Sequence, residues 1–284
     1  MAPQCHLVIP CRFSRATRDL SSAGTSHQTV REELYSNVNR RAKSTILGKR
    51  IVTACADNTL IYWDPRSPTP LFKLTGDDAR FNLGGITSLA INPASTIAVV
   101  GGAEGGVRVI SLSKGEVISA LGGHAEGESV EAIVFVNIVA AVDGTSAAPV
   151  GSSTSTNTVV TGATDGKVCI WDLNTSRLRM TLEHKVSRVL LVSSIFLVPC
   201  TPLLMSNGSP QDAVTSLLVH PTKPHLVISS SADHTLRTWD VRAGTLVREH
   251  KGHQEPINGA ALGKGGEIVV SAGDDGTCLA FGTE

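Results

Sequence analysis

Three sets of side chains along this chain carry the residue types of a hydrolytic relay. His124, Thr161 and Asp165 form one set, His184, Ser229 and Asp233 a second, and His253, Ser271 and Asp275 a third. Each joins an imidazole, a carboxylate, and a hydroxyl four residues before that carboxylate. One such set would suggest an activated hydroxyl nucleophile. Three copies argue against catalysis, because an active site is seldom repeated along a chain. The structural alternative is a buried hydrogen-bond chain. Imidazole and indole N–H groups need acceptors when buried, and Trp171 and Trp239 stand six residues after Asp165 and Asp233. A chain of Trp, Ser or Thr, His and Asp satisfies these donors, and the Asp also fixes its own turn. Thr53, Asp57 and Trp63 repeat the hydroxyl, the acid and the indole.

Other chemistry is missing from the sequence. There is no G-x-x-x-x-G-K-[ST], no H-E-x-x-H, and no glycine fingerprint that follows a strand and opens a helix. The glycines of GGAEGG, 101–106, suit a tight turn. The six cysteines, at 5, 11, 55, 169, 200 and 278, form no C-x-x-C pair. That spacing points to reduced thiols in an intracellular protein, with no metal site and no disulfide framework. Those at 55, 169 and 278 adjoin apolar runs and are expected in the core. No cofactor is implied. The net charge of +0 gives no global attraction to nucleic acid or a membrane surface.

The elements that position the polar sets are short strands. Val214 to His253 divides into VTSLLVH, HLVISSS, TLRTWDV and TLVREHK, each bounded by turn residues. The unit contains Trp239-Asp240 and ends in Gly252-His253. It resembles a WD40 repeat, one four-stranded blade of a β-propeller. Related segments recur around Asp57 and Trp63, around Glu104 and Ile110, around Asp165 and Trp171, and around Asp275 and Phe281. The signature is lost at Glu104 and Ile110 and half lost at Phe281. The resemblance implies an all-β WD40 propeller of about five recognisable blades in an incomplete or open ring. The first blade shows no convincing inner strand. The last lacks its outer strand, and an open edge invites aggregation.

Blades are expected over 46–284, after an unmatched 1–45. That first segment mixes Arg with many Ser and Thr, loosely like a transit peptide, but shows no amphipathic helix and reads as a disordered tail. Residues 137–157, rich in Ser, Thr, Ala and Gly, read as a flexible loop inserted between two strands. Residues 186–211 are an anomalous apolar insertion, too short and too broken by Pro199 and Pro202 for a membrane helix. Trp171 and Trp239 are 68 positions apart, and without those 26 residues the spacing is 42, one repeat period. Val186-Ser187 and Gln211 can be encoded by splice-site sequences, so translated intron is the expectation.

With catalysis set aside, the surface remains. The loop GHAEGESVEA carries Glu126, Glu128 and Glu131; the preceding loop carries Asp77 and Asp78, and the last one Glu255. In a propeller these loops share a face, and an acidic face attracts a basic peptide. The runs from Asp78 to Phe135 and from Thr235 to Phe281 are similar to the angio-associated migratory cell protein family, whose fungal members are chaperones of a large-subunit ribosomal protein. The similarity covers about 46–185 and 212–284. It implies a closed ring of more than five blades whose acidic face holds the basic N-terminal segment of a ribosomal client. The expected function is non-catalytic ribosome-assembly chaperoning in the cytoplasm, with the nucleus as a second compartment. The partner is a protein; nucleic acid, membrane and small-molecule substrate are not expected. A general WD40 scaffold or adaptor in a ubiquitin-ligase or signalling complex is the alternative.

Overall fold

The computed structural model describes residues 42–47, 50–139, 155–184, 212–263 and 265–283. The expected tail up to 41, the middle of the expected loop insertion and the apolar insertion at 186–211 lie outside the described residues. Alternating apolar residues between closely spaced turns give antiparallel strands throughout. Blade A contains β1 (Ala42–Leu47), β2 (Arg50–Cys55), β3 (Thr59–Trp63) and β4 (Phe72–Leu74). Blade B contains β5 (Ile86–Ile91), β6 (Ile97–Gly102), β7 (Val107–Ser111) and β8 (Glu116–Leu121). Blade C contains β9 (Val130–Val139), β10 (Ser155–Ala163), β11 (Lys167–Asp172) and β12 (Arg177–Glu183). Blade D contains β13 (Val214–Val219), β14 (Leu226–Ser231), β15 (Thr235–Asp240) and β16 (Thr245–Lys251). Blade E contains β17 (Ile257–Leu262), β18 (Ile268–Gly273) and β19 (Cys278–Gly282), a three-stranded sheet among the described residues.

Each sheet is a simple meander, with neighbours in sequence also neighbours in space. The inner strands β1, β5, β9, β13 and β17 lie against one another in chain order, and no comparable contact joins β17 to β1. This is the WD40 β-propeller architecture. Blade A does have an inner strand: Ala42 to Leu47 pairs in register with Cys55 to Arg50, a strand with no clear apolar alternation to announce it. At the other insertion, β9 and β10 pair Asn137 with Asn157, so the hairpin runs into both ends of the expected loop.

The core lies between blades. Val52, Leu60 and Tyr62 pack on Ile86, Val100 and Ile110. Val99, Val107 and Leu121 pack on Val159 and Trp171, and Val160 and Ile170 pack on Val227 and Trp239. The middle strands of blades A to D are thus largely buried on both faces, whether apolar, as in IAVVGG of β6, or partly polar, as in LVISSS of β14. Among the described residues, blade E is covered on one face only. Ile228 of β14 is 1 % exposed beneath blade E, whereas Val270, at the matching place in β18, is 40 % exposed. Cys55 and Cys169 are buried as expected, but Cys278 lies on this uncovered blade and is exposed.

One irregularity recurs. Near the start of β5, β9, β13 and β17 the pairing to the next strand skips one residue, a β-bulge. The skipped residues are Thr87, Glu131, Thr215 and Asn258.

Candidate functional site: interblade polar chains and the loop face

The three predicted relays are assembled, and each is closed inside the wall between two blades. In blade C, the Trp171 indole N–H donates to Thr161 Oγ1 at 2.9 Å. That hydroxyl lies 2.7 Å from His124 Nε2, and His124 Nδ1 lies 3.2 Å from Asp165. In blade D, Trp239 donates to Ser229 Oγ at 2.8 Å, Ser229 is 2.6 Å from His184 Nε2, and His184 Nδ1 is 3.0 Å from Asp233. Thr161 and Ser229 are fully buried, so no substrate reaches either hydroxyl.

Each acid also fixes the turn between its two middle strands. Backbone N–H groups two residues on donate to Asp57, Asp165, Asp233 and Asp275 at 2.9 to 3.1 Å. The residue after each acid is left-handed: Asn58 (φ 65°), Gly166 (φ 73°), His234 (φ 69°) and Gly276 (φ 71°). Asn tolerates that conformation and Gly adopts it without cost, which accounts for the Asp-Gly and Asp-Asn pairs in the sequence.

The other blades depart from the full chain in different ways. Blade E keeps His253 2.7 Å from Ser271 and 2.8 Å from Asp275, but Phe281 stands where the indole would be. Blade A keeps the Trp63 indole bond to Thr53 at 3.2 Å. Blade B has abandoned polarity. Val100 and Ile110 occupy the hydroxyl and indole positions, and Phe81 and Leu83, 0 % and 2 % exposed, fill the wall against them. The decayed signature of blade B is an apolar plug, signalled in the sequence by Phe81 and Leu83 just before Ile86.

Charge separates the two full chains. Burial disfavours a cation at His124, but Asp165 and Cys169 against the ring outweigh it and push its pKa up to about 9. At His184 burial wins and the pKa is held below its ordinary value, with the Arg237 cation working against protonation. Asp233 is held down to about 2: burial opposes its charge, but His184 and the bonds from Thr235 more than offset this. Arg237, which sequence reasoning missed, reaches Asp233 at 3.2 Å, Glu249 at 3.0 Å and the Glu183 carbonyl at 3.1 Å. Its only signal was a charged side chain between Leu236 and Trp239 in a middle strand.

The six acidic candidates all lie at the end of the sheets that carries the Asp turns, five on loops and Glu131 as the second residue of β9. Asp77 accepts from the Thr75 hydroxyl at 3.0 Å, and Asp78 from the Arg80 backbone N–H at 2.9 Å, so both also shape their loop. Glu128 accepts from Thr164 at 2.6 Å and Glu131 from Ser129 at 2.7 Å. Glu126 and Glu255 are exposed. The acids are therefore carried by three separate loops and the start of β9, on one face. Among the described residues no cluster of His, Cys, Asp and Glu could hold a metal ion, and no helix is long and apolar enough to cross a membrane.

A family model described as "WD domain, G-beta repeat" matches residues 115–172, 200–240 and 244–281. The first and last matches run from the outer strand of one blade through the third strand of the next. An uncharacterised WD repeat-containing protein of Schizosaccharomyces pombe is 30% identical over 244 residues, 84% of this chain and 50% of that one. The angio-associated migratory cell protein of Homo sapiens is 24% identical over 242 residues, 82% of this chain and 46% of that one. Among solved structures, Chaetomium thermophilum Sqt1 bound to the N-terminus of ribosomal protein L10 superimposes with a TM-score of 0.63 at 24% identity, covering 83% of this chain and 56% of that one. The chain spans about half the length of the curated relatives it matches.

Proposed function

We propose that this WD40-repeat protein is a non-catalytic ribosome-assembly chaperone that shields a basic large-subunit ribosomal protein through its acidic loop face. The observation that carries the reading is the division of polar residues in the blades. The His–hydroxyl–Asp sets are sealed between blades, while Glu126, Glu128 and Glu131 stand on the loop face beside Asp77, Asp78 and Glu255. A face of that sign suits a cationic segment. The likeness to Sqt1, solved with the N-terminus of a ribosomal protein, supports the same partner class. The chaperone acts in the cytoplasm, where newly made ribosomal proteins need cover.

Attraction between exposed charges is screened by salt. The test is a pull-down of the endogenous protein at low and high salt, with partners identified by mass spectrometry. One basic large-subunit protein, captured at low salt and released at high salt, is the expected result. Salt-resistant capture of a mixed ligase or kinase assembly would overturn it in favour of a general WD40 scaffold.

A further inference from the structure

The two ends of the blades are opposite in charge. The loop face exposes Asp77, Asp78, Glu126 and Glu255. The other end carries the turns that lead into the fourth strands and the first residues of those strands. There the exposed charges are mainly cations: Arg66, Lys73, Lys114, Arg177, Arg179 and Arg242. Glu116 is the one exposed acid at that level among the described residues. The other acids there are half-buried and occupied with their own turns. Asp64 accepts from the Arg66 backbone N–H at 3.0 Å, Asp172 from that of Asn174 at 2.9 Å, and Asp240 from that of Arg242 at 2.8 Å.

The same band gathers apolar surface. Outside blade E, the large apolar side chains exposed among the described residues are Leu71, Ile118, Leu178, Leu246 and Val247, each 41 to 57 % exposed. All lie within or just before the first three residues of β4, β8, β12 and β16. Single exposed leucines are ordinary, but exposed apolar residues collected at one level mark an interaction surface. The fourth strands also share an irregularity. In β8, β12 and β16 the pairing to the third strand skips one residue: Ile118, Arg179 and Val247 in turn. Such bulges re-aim the skipped side chains and spoil the edge for an added strand. A partner at this rim is therefore held by side chains and not by backbone pairing.

Blades C and D bring these features together. The turn that ends in Gly244 sits against β12, where a Cβ at Gly244 would come within 2.6 Å of Met180 Sδ. Arg177, Leu178 and Arg179 precede Met180 on β12, and Leu246 and Val247 follow Gly244 into β16, so the contact sets the two runs side by side. We infer that this rim of blades C and D is a docking surface for an acidic amphipathic helix of a partner protein. Leu178, Leu246 and Val247 take its apolar stripe, and Arg177, Arg179 and Arg242 take carboxylates along its borders. Charge complementarity and the aliphatic side chains together select this occupant. A nucleic acid would meet the cations, but single strands are held by stacking on aromatic rings, and no described aromatic side chain of blades C and D is exposed. This surface is separate from the proposed site for a ribosomal client: it lies at the opposite end of the blades and has the opposite charge.

The probe is a fluorescein-labelled amphipathic helical peptide of glutamate, leucine and alanine, titrated with the full chain by fluorescence anisotropy. A labelled single-stranded RNA is titrated in parallel. The acidic peptide is expected to bind the natural chain. Arg177→Gln combined with Arg179→Gln should weaken binding about fivefold or more, through the loss of two exposed charge contacts. Leu246→Ser combined with Val247→Ser should weaken it about tenfold or more, through lost apolar burial. Arg80→Gln, which removes a cation from the loop face, should bind as the natural chain does. All the substituted side chains are exposed, so the melting temperatures should stay within about 2 °C of one another. A natural chain that does not bind the acidic peptide overturns the inference, and so does binding that the arginine and apolar variants both retain. Tighter binding of the RNA, weakened by the same arginine substitutions, would also overturn it by assigning the rim to nucleic acid.

Discussion

Blades C and D bury the same four-residue chain but place different neighbours beside it. The third residue of the third strand decides the difference. In blade C it is Cys169, whose Sγ lies 3.9 Å from the Gly123 carbonyl and 3.9 Å from His124 Nδ1. In blade D it is Arg237, which reaches the equivalent carbonyl, that of Glu183, and also Asp233 and Glu249. Among the described residues Asp165 meets a cation only in the imidazole of His124, and Asp165 with Cys169 outweighs burial to favour the charged ring. Burial holds the His184 pKa below its ordinary value, and the Arg237 guanidinium beside Asp233 acts in the same direction. Burial and bond lengths are nearly the same in the two blades. A hydrogen-bond network recognised by its residue types therefore does not reveal its own charge state, to which burial and a residue outside the network both contribute.

The largest test of this comparison removes the acid. Asp233→Asn strips a buried guanidinium of one partner and should destabilise the chain by about 3–5 kcal/mol. Asp165→Asn leaves no second buried cation behind and should cost about 1–3 kcal/mol. Urea denaturation of the two variants measures both. Equal costs would show that Glu249 alone satisfies Arg237, and the two blades would then be energetically alike.

Dependence on pH should separate the blades next. The folded pKa of His124, about 9, lies above the unfolded value of about 6.5. Its contribution is fully present below about pH 6.5 and fades as pH rises through 9. The folded pKa of His184 is depressed, so its contribution is present above about pH 6.5 and lost as pH falls. Asp233, held near 2, adds stability above about pH 4 that disappears toward 2. Stability should therefore peak near neutrality and decline on both sides, by on the order of 2–3 kcal/mol on the alkaline side. His124→Gln should flatten the alkaline decline and His184→Gln the acid one, read from denaturation midpoints across pH. The opposite assignment would mean that Arg237 does not set the protonation of its neighbour.

Blade E suggests the third test, because it holds Leu279 at the register of Arg237. A leucine therefore fits this wall. Arg237→Leu leaves Asp233 with His184, which can take up a proton in response. The cost should be about 1–2 kcal/mol at neutral pH, smaller than that of removing Asp233. Titration of the His184 ring by NMR should show its pKa rising toward that of His124. A ring that stays neutral would assign its low pKa to burial alone.

The parts of this molecule legible in the sequence are those in which residue type and spacing are both dictated by burial. Thr161, Asp165 and Trp171 recur at fixed intervals because a strand fixes the rise per residue and a buried indole needs its hydroxyl. The apolar plug of blade B was read as decay, since Phe81, Val100 and Ile110 satisfy the wall by shape, and shape leaves no spacing rule. The strand Ala42–Leu47 was missed because its sequence, AKSTIL, carries no clear alternation. Arg237 sat unnoticed in a strand of correct pattern, since only the fold shows that it faces Asp233. The bulges were invisible for a similar reason: a skipped residue shifts the pairing partner while leaving the strand itself apolar. On the loop face, the sequence gives the acids and the topology gives the shared side. It does not give the skipped places of Arg179 and Val247 on the rim, which are a property of pairing register.

The smallest effect would complete a chain instead of breaking one. Blade E has the His253–Ser271–Asp275 series, but Phe281 takes the indole place and packs 5.1 Å from the His250 ring. In blades C and D the hydroxyl accepts an indole N–H; in blade E, Ser271 does not receive that bond from Phe281. Phe281→Trp would supply the donor at the register where Trp239 stands in blade D. Phe281 is only half-buried on an uncovered blade, so part of the benefit is lost to solvent. The expected gain is below about 1 kcal/mol, the lower range for one hydrogen bond. A rise in the denaturation midpoint, together with slower exchange of the indole proton, would show that the chain of blade E is short of one residue. No rise with an exposed indole would show that the half-buried place of Phe281 against blade D cannot hold an indole on Ser271.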